Sequence, residues 1–143
     1  LLEPVLRPLR NPVRVADTRA GPAPLRLAGG TAISVTVPDT APGSTAVLSV
    51  AAVGPEGPGY LTVYPCGQAL PNVSNLNYTA TDGAVANLAF ATVDTDGSVC
   101  VFTKATSDVI VDLAATLPGS AASSYHPVPV PHRLIDTRLH AFQ

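Results

Sequence analysis

Four asparagines, Asn72, Asn75, Asn77 and Asn87, are the residues whose type and spacing most invite a chemical reading. Asn is disfavoured in strands, so Asn side chains in a strand-like stretch need something to hold them. Asn75 and Asn77 fall on one strand face. With Tyr78 beside them, and Tyr60 or Tyr64 as further aromatic surfaces, they offer amides to sugar hydroxyls and ring faces to sugar rings. A carbohydrate contact through Asn75, Asn77 and Tyr78 is the expected binding site. The competing reading is structural, with the amides bonded to backbone groups at loops and sheet edges, where an unpaired polar group is costly. Three Phe, four Tyr and no Trp make a poor aromatic platform.

The other reactive types form weaker constellations. Asp94-x-Asp96-Gly97 opens like a calcium loop but lacks the later bidentate Glu, so it reads as a hairpin turn between strands at 84–93 and 99–104. Asp108 and Asp112 share a strand face, too far apart along it to form a carboxylate dyad; pairing with Arg19 or Arg138 is expected. His126, His132 and His140 lack a zinc spacing and read as solvated tail residues. There is no Gly-x-Ser-x-Gly elbow and no phosphate-cradling loop. The sequence thus predicts no catalytic residue, no metal and no cofactor, and a protein that is not an enzyme.

One motif occurs twice. Arg14-Val-Ala-Asp17-Thr18-Arg19 recurs as Arg133-Leu-Ile-Asp136-Thr137-Arg138, each preceded by a proline, Pro12 and Pro131. On a strand, a carboxylate and a guanidinium two residues apart share a side and can pair or bond to neighbouring strands. Arg14, Asp17, Arg19, Arg133, Asp136 and Arg138 are therefore expected to form structural ion pairs. The distance between copies is one domain length, so the chain reads as one whole module plus the opening strand of a second. Alternatively, both strands belong to one fold, side by side.

The elements that must carry these residues follow from composition and pattern. The chain has 143 residues, 46% hydrophobic, enough for one domain with a packed core. Charged residues are only 13%, about half the usual ~25%. The 15 Pro and 11 Gly rule against a helical bundle. A net charge of −2 gives no footprint for nucleic acid, and no apolar run is long enough to span a membrane as a helix. Residues 32–37 alternate apolar and polar, 45–53 are Ala, Val and Leu almost throughout, and 60–64, 73–79, 84–93, 99–104 and 107–117 have strand character. The expectation is an all-β fold, an antiparallel β-sandwich or jelly roll of eight to nine strands with extended Pro-rich termini. Its parts are an N-terminal arm at 1–12, the sandwich at 13–117, a Pro/Ser-rich linker at 118–131, and a C-terminal Asp-Thr-Arg strand and tail at 132–143.

Cys66 and Cys100 are the two cysteines. In a small, charge-poor, β-patterned chain they suggest one disulfide and an oxidising compartment. The abundance of Arg over Lys, with Ala and Pro, fits a GC-rich bacterial genome. No signal peptide is visible, so a secreted protein would be represented here by a mature or trimmed form.

The motif at 14–19, followed in order by Gly59-Tyr-Leu-Thr-Val-Tyr-Pro-Cys-Gly67, Ser74-Asn-Leu-Asn77, Ala86-Asn87-Leu88 and Asp108-Val-Ile-Val-Asp112, resembles a tandem extracellular repeat of secreted actinobacterial proteins. Ala16 and Ile135 stand where that family often has Leu, and Ala114-Ala115-Thr116 replaces its closing Gly-Tyr. The resemblance implies a secreted or cell-surface accessory module, at times attached to hydrolases, and carries no catalytic residue with it.

These readings lead to a non-catalytic structural or self-assembling module of the bacterial cell surface. It would associate as a homo-oligomer, or with neighbouring modules of its kind, by strand addition. The alternative is a cell-wall or carbohydrate-binding accessory module of a secreted hydrolase, with cell-wall glycan as its partner.

Overall fold

The last strand has the cleanest period. Residues Asp108–Leu117 alternate half-buried and buried positions without a break, as a strand with one face on a core must. The structure, a computed structural model, describes residues 6–119 and 125–139. These form eight strands and no helix: β1 (Arg7–Asp17), β2 (Thr31–Thr36), β3 (Thr45–Val53), β4 (Gly59–Tyr64), β5 (Leu76–Tyr78), β6 (Ala84–Thr92), β7 (Ser98–Thr103) and β8 (Asp108–Leu117). No helix among them is long and apolar enough to cross a membrane.

The pairing is nested. β1 pairs with β8, β2 with β7, β3 with β6 and β4 with β5, all antiparallel. Contacts of β3 with β8 and of β4 with β7 merge these pairs into two four-stranded sheets, ordered β1-β8-β3-β6 and β2-β7-β4-β5. That nesting is the jelly-roll form of the β-sandwich, within the expected fold class. The core between the sheets is aliphatic: Leu48, Val50, Leu61, Val63, Val99, Val101, Val109, Val111 and Leu113 are essentially inaccessible. β3, Ala/Val/Leu-rich as read, lies between β6 and β8.

Three elements differ from expectation. First, residues 94–97 do not close a hairpin, because β6 and β7 belong to different sheets. The turn crosses the sandwich instead. Gly97 takes φ 78°, and its amide donates to the Asp94 carbonyl at 2.9 Å. The Asp94 carboxylate accepts from the amide of Gly67, where a Cβ would lie only 2.7 Å from it. Second, the N-terminal arm is not separate, since β1 starts at Arg7 and pairs through Arg7 and Pro8 with Thr116 and Ala115 of β8. The ladder breaks between Pro8 and Val13, a stretch that includes Pro12, which has no N–H to give. Third, residues 131–136 adopt no strand, and 137–139 form a turn and bend. Residues 1–5, 120–124 and 140–143, which include part of the arm, five residues of the linker and His140, lie outside the described residues.

The Cys66–Cys100 disulfide is formed. It ties the loop after β4 to the middle of β7, closing a separation of 34 residues. The same loop is held by the Thr62 hydroxyl, which donates to the Val73 carbonyl at 2.6 Å.

Candidate functional site

The first Asp-Thr-Arg motif is an ion-pair knot at the end of β1. Arg19 donates to Asp17 through Nε (2.9 Å), Nη2 (2.9 Å) and its backbone amide (3.0 Å). Arg14 reaches the same carboxylate through Nη1 at 3.1 Å. The pair is thus made across a turn, not along a strand as expected. The Arg19 side chain, its amide and Arg14 together hold the Asp17 carboxyl well below the usual carboxylate range, and Asp17 raises the Arg19 guanidinium.

β8 completes the knot. Arg14 is bidentate on Asp112, at 2.9 and 3.3 Å. Thr18 donates its hydroxyl to Asp108 at 2.9 Å and accepts from the Val109 amide at 3.0 Å. The carboxylate partners therefore differ from the expected ones. Asp112 takes Arg14, and Asp108 takes Thr18 together with Arg26, whose Nε lies 3.4 Å away. Sequence reasoning missed the bridging role of Thr18, although its recurrence as Thr137 was a usable signal.

The second motif repeats the local geometry. Arg138 donates to Asp136 through Nε (2.8 Å), Nη2 (2.6 Å) and its amide (3.1 Å), and Arg133 through Nη1 (3.0 Å). The closing turn bond is 3.1 Å in both copies, Ala20 to Asp17 and Leu139 to Asp136. Asp136 is likewise held well below the usual range, chiefly by the Arg138 side chain. Nothing takes the part of β8 for this copy among the described residues.

The expected sugar-contact set does not converge. Tyr78 is 4% exposed, and its hydroxyl contacts the Thr103 hydroxyl (2.8 Å) and accepts from the Ala105 amide (3.0 Å). Its ring belongs to the core and offers no stacking face. Asn75 is a backbone surrogate. Just before β5 starts at Leu76, the Asn75 carboxamide oxygen accepts the Val63 amide at 2.8 Å. Asn87 closes the neighbouring edge by donating to the Asn75 carbonyl at 2.7 Å. Asn77 alone of the three points outward, held by the Ser74 hydroxyl at 2.9 Å.

A groove forms instead between the sandwich and the second motif. Tyr60, Asn72, Ser74 and Asn77 line one side, and Arg133, Asp136 and Arg138 line the other, around about 570 Å³. No sequence signal marked it, because one wall exists only where residues 133–138 fold back. The connector leading there begins at Tyr125, which packs on Phe90 and on the small cluster of Val47, Ala115 and Leu117. It then passes Thr92, Val63 and Pro65 with Pro127, Pro129 and Pro131. His126 and His132 are exposed along it.

No protein-family model matches this chain, and no curated protein or solved structure is significantly similar to it.

Proposed function

We propose that this chain is a non-catalytic structural module of the bacterial cell surface, secreted with its disulfide formed, which joins modules of its own kind through its Asp-Thr-Arg segments. One observation carries the reading. The second motif is folded into the same ion-pair knot as the first, yet it lacks the strand that completes the first. A segment organised for a β8-type partner, and not supplied with one, suits strand addition between modules. The resemblance to tandem surface repeats points the same way. Light scattering across a wide concentration range, under non-reducing conditions, tests it. Defined multiples of 14.6 kDa or growing polymers are expected, with loss of association on deleting residues 126–143. A monomer at every concentration overturns the reading.

The groove favours a second reading, a glycan contact. Tyr60 supplies a half-exposed ring, Asn72 and Asn77 supply amides, and the two arginines exceed the one carboxylate by one charge. This reading moves the contact set from Asn75, Asn77 and Tyr78 to Tyr60, Asn72 and Asn77. Tyr60→Ala and Asn77→Ala should then weaken sedimentation with cell-wall preparations, Asn77→Ala with the denaturation midpoint unchanged and Tyr60→Ala with a lower midpoint from loss of its Phe102 contact. Undiminished sedimentation removes this reading.

A further inference from the structure

We infer that the second motif's partner is β8 of another copy of this chain, entered in the register that β1 now occupies. The inference rests on the self-association reading and names its surface. It begins from the sequence match, which runs well beyond the knot. Pro8, Leu9, Pro12, Arg14, Asp17, Thr18 and Arg19 of the β1 region align with Pro127, Val128, Pro131, Arg133, Asp136, Thr137 and Arg138. The prolines are informative. The β1–β8 ladder is broken between Pro8 and Val13, and a generic strand would have amides there with no acceptor. The 127–138 segment brings Pro131 to the same irregular stretch.

The polar seats on β8 also match. Arg14 is paired with Asp112 in the ladder register and by two hydrogen bonds; Arg133 would take that seat. Thr137 would take the Thr18 seat, between the Asp108 carboxylate and the Val109 amide. The knot that holds these side chains is already formed in the donor, so docking need not order it.

The apolar side chains supply the drive. Leu9, Val15 and Ala16 pack against the core in β1. Their counterparts Val128, Leu134 and Ile135 are 59%, 95% and 64% exposed. Leu for Val and Ile for Ala place more apolar surface on the same seats. The resident strand is also the least committed one in its sheet. Residues 10–14 of β1 are exposed, and its register shifts twice. Replacement of β1 by the matching segment of a neighbour is an exchange of like for like, which keeps its net free-energy cost small and makes the product depend on concentration. Each copy carries a donor and an acceptor, so the contact is heterologous and propagates head to tail unless it closes into a ring.

Cysteine cross-linking between full-length chains tests the register. One chain carries Arg133→Cys and the other Asp112→Cys, mixed under mild oxidation with the native disulfide intact. Arg14 and Asp112 are register partners, so the exchanged pair should cross-link. In the control chain Ser49→Cys replaces Asp112→Cys. Ser49 lies one strand further in, opposite Asp112 on β3, beyond disulfide reach of the edge. Covalent heterodimer is expected to exceed the control by about tenfold or more. Equal yields overturn the exchange. If the unmodified chain associates but this cross-link is absent, the exchange fails while self-association stands. If the unmodified chain stays monomeric, both fail. A charge-swapped pair checks folding effects: Arg133→Asp and Asp112→Arg should each assemble less than the parent alone and recover when mixed. Failure to recover, with both variants folded, also counts against the register.

Discussion

The two Asp-Thr-Arg copies have the same internal bonds and different surroundings. In the first, Arg14 and Thr18 are spent on β8, and the neighbouring Val15 and Ala16 lie on the core. In the second, Arg133 bonds within its own turn and faces a groove, and Leu134 stands 95% exposed. The comparison separates two properties that a motif can have. The ion-pair knot is local, requiring only six consecutive residues and one turn. Its value to the fold is not local, because it depends on whether a strand is present to receive what the knot presents. A motif of this kind works as a connector whose geometry is set before its partner arrives.

The largest expected effect concerns the seat of the second copy. Replacing Cys66 and Cys100 by Ser opens a 34-residue loop, for which the chain-entropy argument gives a loss of about 3–4 kcal/mol. Urea denaturation would measure it. The same loop carries Asn72 and Ser74 at the groove, so backbone amide signals of 133–138 should shift while those of 14–19 hold. Equal shifts in both copies would show that the seat does not distinguish them.

Hydroxyl deletion probes the comparison directly. Thr18→Val removes a donor to Asp108 and leaves the Val109 amide without its acceptor, at a cost of about 1–3 kcal/mol. Thr137→Val removes no such bond and should leave the urea midpoint unchanged. A parallel contrast holds at the sheet edge. Asn75→Ala strands the Val63 amide, again at about 1–3 kcal/mol, whereas outward-facing Asn77→Ala should change stability by less than ~0.5 kcal/mol.

Strand content was legible in the sequence where apolar period met turn residues, as in 32–37, 45–53 and 107–117. The disulfide was legible because two cysteines allow one pairing. Sheet membership was not. Asp94-Thr-Asp-Gly97 carries the composition of a hairpin turn, and the same composition serves a turn between sheets, since pairing is decided by distant strands. The short β5 was also hidden. Its 73–79 segment has strand propensity, but side chains of Asn75 and Asn87 take over hydrogen bonds that further ladder would have made. Tyr78 looked like a surface aromatic because strand parity gives two faces and does not say which is covered. The ion-pair knot was legible as a repeat, and its β8 partners were not, for they lie some 90 residues away.

The smallest effect is the acid limb of stability, and it distinguishes the copies by whether the sandwich feels it. Asp17 has its carboxyl held low in the folded protein, so its contribution is complete above its unfolded pKa, about 3.9. That contribution is lost as pH falls toward the depressed folded value, never as pH rises. Protonating Asp17 frees Arg14 and Arg19 at a turn pinned to β8. The urea midpoint of the parent should therefore be level from neutrality to about pH 5 and decline below about pH 4. Asp17→Asn should lower the plateau and flatten the decline. Asp136 is held low by the same local pairing, and in both copies the aspartate's ion-pair partners lie within the six residues of the motif. The difference is that, among the described residues, only the first copy is tied to the sandwich, through Arg14 and Thr18 on β8. Protonating Asp136 loosens a turn and releases no strand of the sandwich. A turn not tied to the sandwich keeps its pairing when the sandwich unfolds, so Asp136 titrates alike on both sides of that transition. Asp136→Asn should thus keep the parent's acid limb, with the change confined to the signals of Arg133 and Arg138. An acid limb flattened equally by both substitutions would mean that the second copy is tied into the fold as firmly as the first, and it would remove the premise that this copy is held in readiness for another chain.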